Sequence, residues 1–164
     1  MSSHLESSPF PDFDLPEGNR PVYAFFGTKE DPEVPSALPS DLTDLNVYHN
    51  TDAVIAVIEL LKKGSFPRLT AISFRDVTLP TFPEVILNIP SLTFLSLVGN
   101  GITNVPPEIT RLTNLEILFL RQNSLSEMPD LRPLTHLKYL DITDNDLVAL
   151  PPLPPHLETL FSGQ

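Results

Sequence analysis

The stretch Leu92-Thr-Phe-Leu95-Ser-Leu97-Val-Gly-Asn100-Gly-Ile102 decides the fold. Around Leu95 and Leu97 the apolar residues alternate, as a short strand with one buried face requires. The same frame returns as Leu115, Leu118, Leu120, Asn123, Leu125 and as Leu137, Leu140, Ile142, Asn145, Leu147. Upstream it reads Leu69, Ile72, Phe74, Val77, Leu79, with valine in the asparagine's place, and before that Leu42, Leu45, Val47, Asn50. A last start is made by Leu157 and Leu160. Successive frames begin 27, 23, 23, 22 and 20 residues apart. A unit this short cannot bury its apolar face alone. Stacked units pair their strands in parallel and join the leucines into one core.

The asparagines stand where the chain leaves each strand. There a buried amide can hold backbone donors and acceptors of adjacent turns as a ladder. Val77 cannot do this, so a gap is expected at that rung.

Proline abundance fits the same phase. The chain has 164 residues with 19 prolines, 6 glycines, no cysteine and no tryptophan. Proline removes a backbone donor and fixes φ, which opposes long helices and wide regular sheets. Yet 41% of the residues are hydrophobic, too many for general disorder. Fourteen residues after Leu69, Leu92, Leu115 and Leu137 stand Pro83, Pro106, Pro129 and Pro151, each behind an apolar residue. These positions open the return segments, where extended, polyproline-like chain loses no ladder bond. One return differs. Thr51–Lys63 is apolar and proline-free, with Asn50 or Thr51 to cap it, Asp52 in its first turn, Lys62 and Lys63 in its last, and Gly64 at its stop. The spacing predicts a helix over about 52–63 that shields the first part of the core.

Five near-complete frames of L-x-x-L-x-L-x-x-N-x-L, over roughly residues 38–164, resemble the leucine-rich repeat family. The resemblance implies an α/β solenoid: an arc with a parallel concave β-sheet, a mostly extended, polyproline or 3-10 convex side, and here one N-terminal helix. It also implies protein–protein recognition. Val105-Pro-Pro-Glu-Ile-Thr-Arg-Leu112 looks like the intracellular class of such repeats. The ends, Leu38-Pro39…Leu42…Leu45 and Leu153-Pro154…Leu157…Leu160, look like the 20-residue repeats of bacterial effectors that act in host cells. Some effectors add a ubiquitin ligase, which needs a catalytic cysteine that this sequence lacks.

Residues 1–21 are acidic and proline-rich and read as an arm or loose cap, and 22–164 as a single repeat domain with Val22–Phe26 as an edge strand. The chain breaks off at Phe161-Ser-Gly-Gln164, inside a strand frame. Repeat arrays need a capping unit. The expectation is therefore either a fragment of a longer protein, or an open edge that pairs with a second copy to give a self-associating homodimer.

The remaining readings exclude chemistry. The net charge of −11 opposes nucleic acid and anionic membranes as partners. His4, His49, His136 and His156 are scattered, there is no phosphate-binding glycine loop, and Asp141-Ile-Thr-Asp144-Asn-Asp146 lacks the spacing of a calcium loop. No catalytic residue, cofactor or metal is expected. Without cysteine, a signal segment or a spanning stretch, a cytoplasmic location is expected, or the host cytosol for an effector.

Binding is better served. In L-x-x-L-x-L-x-x the third, fifth and seventh residues point onto the concave face. A solvated face would be polar there. Instead Phe94, Val98, Ile117, Phe119 and Tyr139 form an apolar cluster flanked by Arg75 and Arg121. Aromatic residues with arginine are the composition of interface hot spots. These seven residues are the candidate site for a protein or peptide partner.

Overall fold

The computed structural model describes residues 3–7, 20–27, 34–79 and 81–163. Its centre is one open sheet of eight strands among these residues, stacked in chain order. β1 (Ser3–Ser7) pairs antiparallel with β2 (Val22–Phe26). From there β3 (Asp44–Tyr48), β4 (Ala71–Arg75), β5 (Phe94–Ser96), β6 (Ile117–Phe119), β7 (Tyr139–Asp141) and β8 (Thr159–Phe161) all run parallel. The register is that of the sequence frame, with Leu45, Ile72, Leu95, Leu118, Leu140 and Leu160 paired across the rungs. Leu42, Leu69, Leu92, Leu115 and Leu137 are fully buried, as are Leu45, Ile72, Leu95, Leu118 and Leu140. The core is continuous along the arc.

Backbone bonds repeat with the same period. Thr70 N–H donates to the Thr43 carbonyl, Thr93 to Thr70, Glu116 to Thr93, Lys138 to Glu116 and Glu158 to Lys138, all at 2.8–2.9 Å. At the other end of each strand the eighth residue of the frame turns left-handed: φ is 55° at His49, 52° at Asp76, 74° at Gly99, 58° at Gln122 and 55° at Asp144. That turn delivers the ninth residue, the asparagine, into the interior.

The amide ladder follows. Asn145 Nδ2 donates to the Leu120 carbonyl at 3.0 Å while its Oδ1 accepts from Leu125 N–H at 3.0 Å. Asn123 accepts from Ile102 N–H at 3.0 Å and donates to the Leu97 carbonyl at 2.9 Å. Asn100 accepts from Val77 N–H at 2.9 Å and donates to the Phe74 carbonyl at 2.7 Å. Each asparagine thus ties its own repeat to the one before. Val77 is buried and has no side-chain bond to give, so the gap lies between the frames of Asn50 and Val77. At that place Asn50 turns to other work. Its Oδ1 accepts from Ala53 N–H at 3.0 Å and caps the helix α1 (Thr51–Lys63), while its Nδ2 donates to the Gly27 carbonyl at 3.0 Å.

α1 buries Ala53, Val54, Val57, Leu60 and Leu61 over the first part of the core, with Asp52 in its first turn and Lys62 and Lys63 in its last. The helix stops at Gly64 as expected, though without a left-handed turn. Gly64 has φ −124° and ψ −179°, an extended conformation open to any residue. A β-carbon there would meet the Phe66 ring, 2.6 Å away, and would require that ring to shift.

The other returns are short. Glu84–Asn88 and Pro107–Arg111 form 3-10 helices, each preceded by the in-phase proline, with Pro83 at φ −74°, ψ 96° and Pro106 at φ −67°, ψ 147°. Extended geometry at the proline leads into a single tight turn whose inward residues, Ile86 and Ile109, are fully buried.

The N-terminal region differs from expectation in one respect. β2 is an interior strand, with β1 at the edge beside it. The remainder of the region read as an arm, residues 1–2 and 8–19, lies outside the described residues, as does Gln164.

Candidate interaction surface

The concave face is built by register. Phe94, Ile117 and Tyr139 lie side by side on β5, β6 and β7. One step along the strands, Phe119 lies opposite Ser96 and Asp141. The Phe94 and Phe119 rings meet edge-on, with centroids 5.7 Å apart and planes at 84°. Val98 and Arg121 lie just past the strand ends in neighbouring rungs, where Gly99 N–H donates to the Arg121 carbonyl at 3.0 Å. Phe94, Val98, Ile117 and Phe119 are half-buried, Tyr139 is 38% exposed, and Arg75 and Arg121 are exposed. The structure therefore brings the five apolar candidates into one patch and sets the two arginines at its edge.

The arginines differ in their engagement. Arg121 Nε lies 3.5 Å from Asp144 Oδ2. The Arg75 guanidinium carbon lies 5.7 Å from the centre of the Tyr48 ring, a cation–π distance. Tyr48 in turn meets Phe25 edge-on at 5.4 Å and 81°. This second aromatic group extends the face toward the N-terminus, where Tyr23 and Phe25 on β2 pair with Asp44 and Asn46 of β3. The frame could not place β2 because no L-x-x-L-x-L pattern runs through it. Its alternation held the signal: Ala24 and Phe26 are fully buried, which turns Tyr23 and Phe25 outward.

Two carboxylates share the face, and both accept hydrogen bonds from neighbours. Asp141 Oδ1 accepts from Thr143 N–H at 3.0 Å and from Thr143 Oγ1 at 2.7 Å. Asp44 accepts from Thr43 Oγ1 at 2.6 Å, and its burial pushes its carboxyl above the ordinary carboxylate value, against the lowering effect of that bond. The acid run at 141–146 is thereby divided, since Asp144 faces Arg121. Among the described residues no group of histidine and carboxylate side chains is arranged to hold a metal ion, and no helix is long and apolar enough to cross a membrane. On the convex side a cleft of about 630 Å³ lies between the end of α1 and the 3-10 helix at 84–88, with Lys62 and Glu84 among its lining residues.

Comparison with known proteins agrees with the geometry. The family model described as leucine rich repeat matches residues 90–147. No curated protein matches the sequence. Among solved structures, a leucine-rich repeat protein of Leptospira interrogans is 25% identical with a TM-score of 0.59, over 71% of this chain and 31% of that one. An internalin (inlF) of Listeria monocytogenes is 17% identical with a TM-score of 0.56, over 74% of this chain and 35% of that one. A chain in the octameric complex of Latrophilin 3, Unc5D and FLRT2 (LRR) is 22% identical with a TM-score of 0.56, over 80% of this chain and 41% of that one. The chain thus spans well under half the length of each of these structures. With the repeat frame, the parallel sheet, the asparagine ladder and these likenesses together, the chain has the leucine-rich repeat fold, and its residues 90–147 match the family's repeat.

Proposed function

We propose that this chain is a non-enzymatic interaction module that binds a partner protein or peptide on the concave face of its sheet. The observation that carries this reading is the patch of Phe94, Val98, Ile117, Phe119 and Tyr139. Its residues sit at positions that alternation turns away from the core, and they are apolar where a solvated sheet face would be polar. Arg75 and Arg121 at the edge supply directional contacts around an apolar centre, the arrangement of an interface hot spot. The family supports the same class of function, since leucine-rich repeats commonly serve protein recognition, and one neighbour of this fold occurs in a complex with other proteins.

The test is a pull-down from source-cell extract with the wild-type chain beside Phe119→Ser/Tyr139→Ser, with retained proteins identified by mass spectrometry. Both positions lie on the sheet surface, so thermal unfolding of the double variant should remain cooperative. A partner retained by the wild type and lost by the variant is the expected result. Equal retention by both overturns the reading.

A further inference from the structure

Two serine hydroxyls of the concave face make no hydrogen bond among the described residues. Ser73 and Ser96 are opposite one another on β4 and β5, at the fifth position of their frames, which alternation turns to the concave side. They are only 6% and 3% exposed, and neither side chain makes a hydrogen bond among the described residues. Buried polar groups are nearly always satisfied, so two adjacent exceptions on one face call for an outside partner.

Arg75 stands two residues along β4 from Ser73, on the same face. It stacks on Tyr48 and has no carboxylate within ion-pair distance among the described residues. The two rungs lie about 4.8 Å apart, and the α-carbons of Ser73 and Arg75 about 7 Å apart. One small group can therefore meet both hydroxyls and the guanidinium together. All three can donate, and the guanidinium can only donate. The chain's own acids on this face, Asp44 and Asp141, accept from Thr43 and Thr143. Edge-on aromatic pairs flank the spot, Phe94 with Phe119 and Phe25 with Tyr48.

We propose that Ser73, Ser96 and Arg75 form a subsite for the carboxylate of an aspartate or glutamate of the bound partner, with apolar neighbours of that residue against the flanking rings. The inference rests on the concave face being the binding surface. An ammonium would meet the unpaired guanidinium, and a neutral amide would leave its charge unanswered. The overall charge of −11 does not forbid an acidic group here. Beyond about 8 Å it is screened at physiological ionic strength, and nine of the 21 acids lie within residues 1–44.

The test is an amide NMR titration of the full chain with three peptides at fixed ionic strength: acetyl-Leu-Glu-Phe-amide and its Gln and Lys counterparts. The glutamate peptide should shift the amides of Ser73, Arg75 and Ser96 and bind at least about tenfold more tightly than the glutamine peptide. Arg75→Met should remove the preference, and Ser73→Ala/Ser96→Ala should weaken the glutamate peptide at least about threefold. Arg111→Met, on the convex side, should change neither. No shift at these amides, equal affinity for Glu and Gln, or a preference that survives in Arg75→Met overturns the subsite. If that occurs while Phe119→Ser/Tyr139→Ser still abolishes partner capture, the subsite falls and the concave binding surface stands.

Discussion

Phe94 and Phe119 lie diagonally across β5 and β6 with their rings perpendicular, centroids 5.7 Å apart at 84°. Edge-to-face pairs of this kind add about 0.5–1.5 kcal/mol beyond simple area burial. The rings therefore serve two ends: they brace neighbouring rungs, and they present apolar surface. A double-mutant cycle separates the bracing. Phe94→Ala and Phe119→Ala, alone and combined, should show a coupling of about 1 kcal/mol in urea unfolding. Additive losses would mean the rings do not brace the sheet.

Asp76 and Gly99 make a second contact across rungs. A β-carbon on Gly99 would lie 2.1 Å from Asp76 Oδ1, and Gly99 itself has φ +74°. The left-handed turn alone does not demand glycine, since Asp76, Gln122 and Asp144 adopt it at the same place in other frames. The carboxylate above Gly99 is the added reason. Gly99→Ala should cost the usual left-handed penalty of about 1–2 kcal/mol plus displacement of Asp76. In an Asp76→Ala background only the first part should remain. An unchanged cost in that background would show that the close approach is unimportant.

The ladder makes unequal predictions for similar residues. Asn123 Oδ1 accepts from the N–H groups of Asn100 and Ile102, and its Nδ2 donates to the Leu97 and Leu120 carbonyls. Asn123→Ala strands several buried groups at about 1–3 kcal/mol each and should cost at least about 3 kcal/mol in chemical denaturation. Val77→Asn restores the family's residue but should destabilise the fold by about 1–3 kcal/mol. Upstream of it the Asn50 side chain is committed to Ala53 and Gly27. A stabilised Val77→Asn would mean that the gap is a sequence accident and the helix no obstacle.

What could be read from the sequence was what repeats. Leu95, Leu118 and Leu140 announce one buried row because their spacing recurs, and Asn100, Asn123 and Asn145 announce the ladder for the same reason. Non-repeating features were legible only in part: the caps and charges of residues 50–64 announced the helix, but the neighbour of β2 was not visible. β2 offered only one short alternation, Val22–Phe26, and its place inside the sheet depends on β1, whose partners lie far along the chain. Gly64 read correctly as the helix stop, but its extended backbone and the Phe66 ring folded back beside it were not legible from the residue alone. For the face, the frame told which side chains point outward but not how deeply neighbours cover them. The frame turns Ser73 and Ser96 outward, and only the packed sheet reveals them as buried, with no side-chain hydrogen bond among the described residues.

Asp44 offers a prediction whose sign follows from burial. Desolvation raises its folded pKa above the ordinary 3.8, and the Thr43 hydroxyl offsets this only in part. One reason is visible in the bonding. The single Thr43 hydroxyl hydrogen has two acceptors, Asp44 Oδ1 at 2.6 Å and the Val22 carbonyl at 3.0 Å. A group whose folded pKa is raised favours the folded state most fully when protonated, and that contribution is lost as pH rises through the folded value. At neutral pH the ionised Asp44 therefore works against folding. Asp44→Asn keeps an oxygen acceptor for Thr43 without the charge, so it should raise the thermal midpoint at pH 7. The gain should shrink as pH falls from Asp44's raised value toward 3.8 and vanish below it. Taking the difference between variant and wild type at each pH removes the titration of the other acids. A gain that persists at pH 3, or a loss at pH 7, would show that burial does not govern this carboxylate.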